Sequence, residues 1–567
     1  MMNLHLRCDL SVHRDHSIGG QIIDQHTAAA GQTWPQLLAR KDILLVDGRF
    51  SLINESMTPQ QATVADLLFV ASALDAAGIE HLLIRGNGDR PVLAVDRRDR
   101  HRVAQALGAA GTREPLYSRA MDKQSPAVLV AAGALSANPK ARVFRLFRPR
   151  IELRGGLRYG VATGMQLELW SFAKGRAKPP TENRLTRREW ITETLVRTTV
   201  QRYGRSWTTL VDMFADFSDD ITFDIDIVFS WVDAGSLEWQ KARAKRMSSY
   251  VVGEGDDNEA RFRQLDELKY ALRSVHLFAP WIRRIFIVTD STTPGWLAEH
   301  PRVTVVPSKD FFSDPSVLPT HNSMAVESQL HHIPGLSEHF LYSNDDMFFG
   351  RPVRPELFFT SGGLTKFLEG PNRIGLGESN AQRSGFENAA RVNRRLLQQR
   401  FGRLTTRHLE HAAVPMRKSV MLEMETEFPE EFAATMASTF RASTNISVTN
   451  SFYHYYALLT GRALRNESAT AKYIDTTTGA GLRSLDKLLR RREFDCFCLN
   501  DGSFPEVPAD ERAAAVQLFL DRYFAIPAPW EADVADAAGT DTGGGRVMPA
   551  LASVAAASSA DTVDSTG

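Results

Sequence analysis

Only three cysteines occur in 567 residues, Cys8, Cys496 and Cys498. They leave no disulfide framework to build, and such scarcity fits a reducing compartment. Cys496-Phe-Cys498 lacks a second cysteine pair or a well-spaced histidine pair to complete a zinc site, so two buried thiols are expected there. There is no excess of either charge. Lys+Arg and Asp+Glu both number 67, so no global field draws the chain to nucleic acid or anionic lipid. The opening Met1-Met-Asn-Leu-His-Leu-Arg-Cys-Asp9 lacks the apolar heart of a signal peptide. Nowhere does an apolar run approach the ~18–20 residues of a membrane span. These absences predict a cytoplasmic protein, compatible with peripheral attachment to a membrane enzyme complex.

What is present is an ordinary globular composition, 43% hydrophobic and 24% charged. The length suffices for about three or four domains. Residues 1–215 read as an α+β module. A helix is expected from Gln60 to Ala77, and His81–Arg85 and Val92–Val95 flank the turn-rich Gly86–Pro91 as a hairpin. Met165, Leu167 and Leu169 alternate with Gln166, Glu168 and Trp170, the pattern of a half-buried strand. Lys174–Asn183 is polar and proline-rich, hence a loop. Beyond Ala535 the chain is mostly Ala, Gly, Ser, Thr and Asp without aromatics, so residues 535–567 are expected to be a disordered tail.

Chemistry concentrates in residues 220–525. Three strand-like segments finish on acids: Asp224–Asp233, Arg284–Asp290 and His339–Asp346. Val303–Val306 reads as a further short strand. Helix-like stretches separate them, and on one of these Leu265, Leu268, Leu272 and Val275 recur at helical spacing. The order predicts an α/β fold, a Rossmann-like, mostly parallel sheet with flanking helices. Ligands of such sheets sit beyond the carboxyl ends of the strands, where these acids would gather.

Asn344-Asp345-Asp346 stands where a strand gives way to Met347-Phe-Phe-Gly350. Hard carboxylate oxygens suit Mg²⁺ or Mn²⁺, which commonly bind together with substrate phosphates. The ordinary alternative is a turn with a capping aspartate. Asp226 and Asp233 lie within and at the end of the first strand. A buried Asp226 needs a pair or a ligand, and Trp231 beside it is either a core ring or a platform for a base or sugar. Arg263, Asp266, Glu267, Lys269 and Arg273 share one helical region. Lys269 and Arg273 place like charges at i,i+4, so Arg273 is free to turn toward phosphate or simply toward solvent. Between Asn388 and Leu409 there are six arginines and no acid, a strong local positive field or an exposed basic helix. His411 is a candidate general base. Arg441 and the Asn500-Asp501 pair are further candidates.

Taken together these residues resemble the Stealth family of sugar-phosphate transferases, over four ordered blocks within about 224–502. Asp226–Asp233 resembles the first block. Arg263–Ser274, Trp281–Asp290 and Ala325–Phe349 resemble the second, with Glu327 and His331 inside it. His411–Lys418, Phe428–Phe432 and Arg441 resemble the third, and Phe497–Asp501 the fourth. Two departures stand out. The family often reads Arg-Asp-Asn-Asp-Glu-Leu where this chain has Arg263-Gln-Leu-Asp-Glu-Leu268, and its His-x-Pro becomes His411-Ala-Ala413.

The resemblance implies transfer of a hexose 1-phosphate from a nucleotide sugar, a UDP-hexose, to a hydroxyl of a glycan acceptor. UMP would leave, in exopolysaccharide or capsule synthesis. It further implies Mg²⁺ or Mn²⁺ on Asp345, Asp346 and Asp501, with Asp346 also catalytic. Arg273 and Arg441 would meet phosphate and His411 would act as base. Asp226, Trp231, Asp233 and Arg263 would line the nucleotide pocket, and peripheral contact with membrane-bound polysaccharide machinery is compatible. Two alternatives stay open: a metal-dependent glycosyltransferase releasing UDP, and a non-catalytic glycan-binding or assembly subunit.

Overall fold

The computed structural model describes residues 34–532 except 89, 234, 247–264 and 503–504. Cys8, Arg263 and the tail from 535 onward therefore lie outside the described residues. The chain divides into two compact units, one ending at Ala215 and the next beginning at Asp216.

In the first unit, helix α1 (Pro59–Ala76) starts where Thr58 accepts from the Gln61 backbone N–H and Gln61 reciprocates, a capping box with proline at the first position. Strands β1 (His81–Arg85) and β2 (Pro91–Asp96) form the expected antiparallel hairpin. Helix α2 (Arg100–Gly111) follows. Strand β3 (Val143–Phe147) pairs antiparallel with β4 (Met165–Ala173), which also runs parallel to β2. Two expectations need correction. Strand β4 is buried on both faces, because Glu168 accepts from the indole N–H of Trp170 (2.8 Å) and the amide of Gln166 (2.6 Å), and so is satisfied inside. The segment after it is not all loop, since Arg176–Lys178 turns back to pair with β4.

The second unit is built on strands β5 (Ile225–Ser230), β6 (Ile285–Val288), β7 (Val303–Val306) and β8 (His339–Asn344). Helix α3 (Glu267–Phe278) connects the first two, and α4 (Ser323–Glu327), capped by the Asn322 side chain, precedes β8. After β8 come β9 (Met347–Phe349), α5 (Gly385–Phe401), β10 (Val414–Arg417), α6 (Lys418–Glu427), β11 (Ala471–Asp475), β12 (Cys496–Asn500) and α7 (Ala509–Tyr523). The main sheet runs β7-β6-β5-β8-β10, with β10 alone antiparallel. This is the expected α/β fold. Its parallel strands are near-continuous apolar runs because helices cover both faces, and Val228, Phe286, Phe340 and Tyr342 enter one core with Met416, Met424 and Tyr453. A small sheet, β9-β12-β11, stands beside it, pinned by Phe348 stacking on Phe497 and Phe524. Among the described residues no helix is long and apolar enough to cross a membrane.

Two imidazoles, His276 half-buried and His454 buried, give this unit a pH dependence. Burial holds His276 down to about 4 and His454 down to about 3, the latter despite its contact with the Thr449 carbonyl at 3.0 Å. The unfolded chain takes up these protons first, so stability is intact above about pH 6.5 and falls as pH drops toward 4. We expect Tm to fall across that interval, with a shallower slope in His454→Gln, as read by thermal unfolding at a series of pH values.

Candidate active site

The strand order reverses between β6-β5 and β8, and the carboxyl edge at such a switch point is where ligands of these sheets bind. Ser230 ends β5 directly opposite Asn344, which ends β8. Trp231 continues from β5 with its N–H donating to the Val288 carbonyl, and its side chain is buried. Asp233 follows, half-buried, its N–H donating to Ser291 Oγ at 2.9 Å. Asn344, Asp345 and Asp346 turn the chain from β8 into β9. The pairing of β9 with β12 then delivers Cys498 and Asp501 to the same edge.

Carboxylates crowd this edge. Burial, then the charges of Asp346 and Glu267, pushes Asp345 well above the usual carboxylate range. Burial, with Glu267 and Asp501 adding to it, pushes Asp346 up to about 6, against a weak opposing contact from Cys498 Sγ at 3.4 Å. Asp346 Oδ1 is buried with no hydrogen-bond partner. Asp501 Oδ1 accepts from Thr476 Oγ1 at 2.7 Å. A Cβ on Gly502 would lie 2.4 Å from Asp475 Oδ2, so any larger residue just beyond Asp501 would have to displace that carboxylate. The donor set is hard and anionic, and the orphaned oxygen of Asp346 invites a cation, so Mg²⁺ or Mn²⁺ fits these residues. The ligand atoms of Asp345, Asp346 and Asp501 do not all lie within 4.8 Å of one another.

Two flanking groups come from distant sequence. His411 precedes β10, whose antiparallel run beside β8 brings it to the carboxyl edge. Its ring lies 5.1 Å from that of Tyr473, and Tyr473 itself feels the charges of Asp475, Asp346 and Asp501. Burial, then His408, holds His411 below its ordinary value, leaving it neutral. Arg441 donates to Ser323 Oγ at 3.1 Å and its charge reaches the buried Glu327. Thr449 donates to Glu327 at 2.6 Å, and the Tyr342 hydroxyl lies 3.4 Å from Glu327 and 2.9 Å from Asn344 Oδ1. A polar chain thus runs from Arg441 to the Asn344–Asp346 turn.

Two expected site residues are elsewhere. Asp226 sits at the opposite end of β5, four residues and about 13 Å before the carboxyl edge. It is fully buried, and its carboxylate accepts from Arg283 at 2.9 and 2.6 Å, from the Arg284 N–H and from the Ser337 N–H. It is a satisfied structural aspartate that cannot line a nucleotide pocket. Arg273 does not turn toward phosphate either. Its guanidinium forks onto Glu531 at 2.7 and 2.6 Å and donates to the Phe524 carbonyl at 2.8 Å. Glu531 also lies 3.7 Å from Lys269, so one distant carboxylate answers the like-charge pair. We expect Arg273→Ala to cost about 1–3 kcal/mol of stability, since it takes the guanidinium fork off Glu531 and leaves that carboxylate to Lys269 and the Ala528 N–H, with the donor KM of the surviving folded fraction unchanged. Thermal unfolding beside steady-state kinetics reads both. The basic stretch is likewise partly neutralised, Arg391 by Glu387 and Arg400 by Glu427. Asp290, the acid ending β6, accepts from the Ser308 N–H at 2.8 Å. Glu267, Glu327 and Tyr473 are the residues to which the sequence assigned no role. Glu267 had a signal, an acid opening a helix beside the crevice, but Tyr473 had none.

A parallel sheet with carboxylates crowded at its switch point defines an α/β enzyme. The models of the Stealth protein conserved regions match in order: region 1 at residues 223–251, region 2 at 261–367, region 3 at 410–458 and region 4 at 486–541. The chain belongs to the Stealth family and is a sugar-phosphate transferase. It is 58% identical to the exopolysaccharide phosphotransferase CpsY of Mycobacterium tuberculosis, over 87% of this chain and 93% of that protein. It is 52% identical to an exopolysaccharide phosphotransferase of Nocardia farcinica, over 86% and 91% respectively. The solved galactosyltransferase LgtC, in complex with donor and acceptor sugar analogues, compares at a TM-score of 0.26 and 13% identity, over 52% of this chain and 95% of its own, too slight a likeness to weigh.

Proposed function

We infer that the protein transfers a hexose 1-phosphate from a nucleotide sugar, a UDP-hexose, to a hydroxyl of a glycan acceptor in exopolysaccharide or capsule synthesis. The observation that carries this reading is the pair Asp345–Asp346, forced together with a buried, unpartnered oxygen at the switch point. The printed names of the relatives support the same chemistry. The acceptor oxygen attacks the phosphorus that bears the sugar. One P–O bond forms, the P–O bond to the nucleotide's phosphate breaks, and UMP leaves. The neutral ring of His411 takes the acceptor hydroxyl proton on its unprotonated nitrogen. Arg441 meets the phosphate oxygens on which charge develops, with Glu327 and Ser323 orienting it. Trp231 and Asp233 line the donor side. Asp345 and Asp346, with Asp501 behind them, would hold Mg²⁺ or Mn²⁺, which neutralises phosphate charge when bound.

The nucleotide released tests this directly. Purified protein with UDP-sugars, Mg²⁺ and short glycan acceptors is expected to yield UMP. UDP instead would make it a glycosyltransferase attacking the anomeric carbon. No divalent-dependent turnover with any donor, and glycan binding undiminished when Asp345 and Asp346 are both replaced, would make it a binding or assembly subunit.

A further inference from the structure

Away from the acidic crevice, His331 and His332 close the short turn Leu330–His332 that follows α4. Both Nε2 atoms reach one oxygen of Glu425 on α6, at 2.8 Å and 3.0 Å. Adjacent residues usually point their side chains apart, but this 3₁₀ turn brings the two rings to 4.0 Å between centroids. One ligand atom from each residue lies within 4.8 Å of the others. We propose that His331, His332 and Glu425 form a binding site for a first-row transition cation of the Zn²⁺ class, distinct from the hard-cation crevice.

The donor chemistry separates the two sites. Two imidazoles and one carboxylate suit Zn²⁺, Co²⁺, Ni²⁺ or Cu²⁺, whereas carboxylates alone suit Mg²⁺ or Mn²⁺. The geometry is close to what such an ion needs. Bonds of ~2.0–2.2 Å at tetrahedral angles place ligand atoms ~3.3 Å apart, so each imidazole must draw back from the Glu425 oxygen by only a few tenths of an ångström. Burial is graded in a useful way. The His331 side chain is fully buried against Phe432, while His332 and Glu425 are 29% and 26% exposed, so the ion has one ligand anchored in the core and a path in from solvent.

Two features limit affinity. His331 Nδ1 is buried without an acceptor, and a missing partner of that kind typically costs about 10–100-fold in metal binding. The charge of Lys418 also acts on His331. The site therefore binds more weakly than a structural zinc site of four supported ligands. Its consequence is mechanical. It staples α6 to the turn four residues beyond Glu327, which faces Arg441 in the crevice.

The test uses the full chain, stripped with a chelator and then held in excess Mg²⁺ to fill the crevice. Titration with Zn²⁺ is followed by calorimetry and metal analysis, and with Co²⁺ by its visible absorption. Wild type and Asp346→Asn should each take up one equivalent, with a Tm rise of several degrees. His332→Ala and Glu425→Gln should lose both uptake and Tm rise while keeping native circular dichroism. His332→Gln serves in place of any variant that fails to fold. No uptake by wild type, or uptake by His332→Ala and Glu425→Gln equal to wild type, would overturn the site and leave a hydrogen-bonded His–Glu cluster.

Discussion

Asp346→Asn is expected to lower turnover by at least about a thousandfold while leaving the fold intact or slightly more stable. The loss follows from the proposed role. An anionic ligand to the cation is removed, and several kcal/mol of charge stabilisation at the transferring phosphoryl group amounts to three or more decades in rate. The intact fold follows from the local structure. Asp346 Oδ1 has no partner, and the carboxylate otherwise has the weak Cys498 contact and its own backbone N–H, so it contributes little to folding. Burial and its acidic neighbours make its charge unfavourable, and a neutral amide relieves that. Steady-state kinetics beside thermal unfolding reads both halves. Wild-type activity in the folded variant would remove Asp346 from the chemistry, and a large fall in Tm would make it a structural residue.

Asp226→Ala is expected to do the reverse. It should cost about 1–3 kcal/mol of stability, because it leaves the Arg284 and Ser337 N–H groups without their acceptor, while Arg283, a third exposed, keeps Asp224. Whatever folds should bind donor with unchanged KM, because Asp226 lies at the far end of β5 from the crevice. Urea unfolding measures the first effect and donor titration of the folded fraction the second. A large KM change with stability preserved would return Asp226 to the nucleotide site. The two aspartates differ in a way their flanking sequence does not display. Asp226 has every oxygen satisfied, and Asp346 does not.

That contrast marks where sequence reasoning reached and where it stopped. The strands β5 to β8 were legible because parallel, fully covered strands must be apolar on both faces, and turns must interrupt them. Helix α3 was legible from its spacing of leucines. Asn344-Asp345-Asp346 was legible as a turn of acids after a strand, and strand order then predicted a crevice at its end. Chain polarity along a strand, by contrast, was visible but unused: Asp226 and Asp233 bracket the same strand, and only the latter is at the carboxyl edge. The partner of Arg273 was not visible at all, since Glu531 lies far along the chain and local spacing carries no information about it.

The sequence by itself thus determined the element types and their order, because hydrophobic periodicity and capping act over a few residues. Only the tertiary structure decided which charged groups are spent on one another and which remain unsatisfied at the crevice. That division depends on burial and on contacts between residues far apart in the chain, as between Tyr473 and His411 or between Glu425 and His331, and no local pattern encodes them.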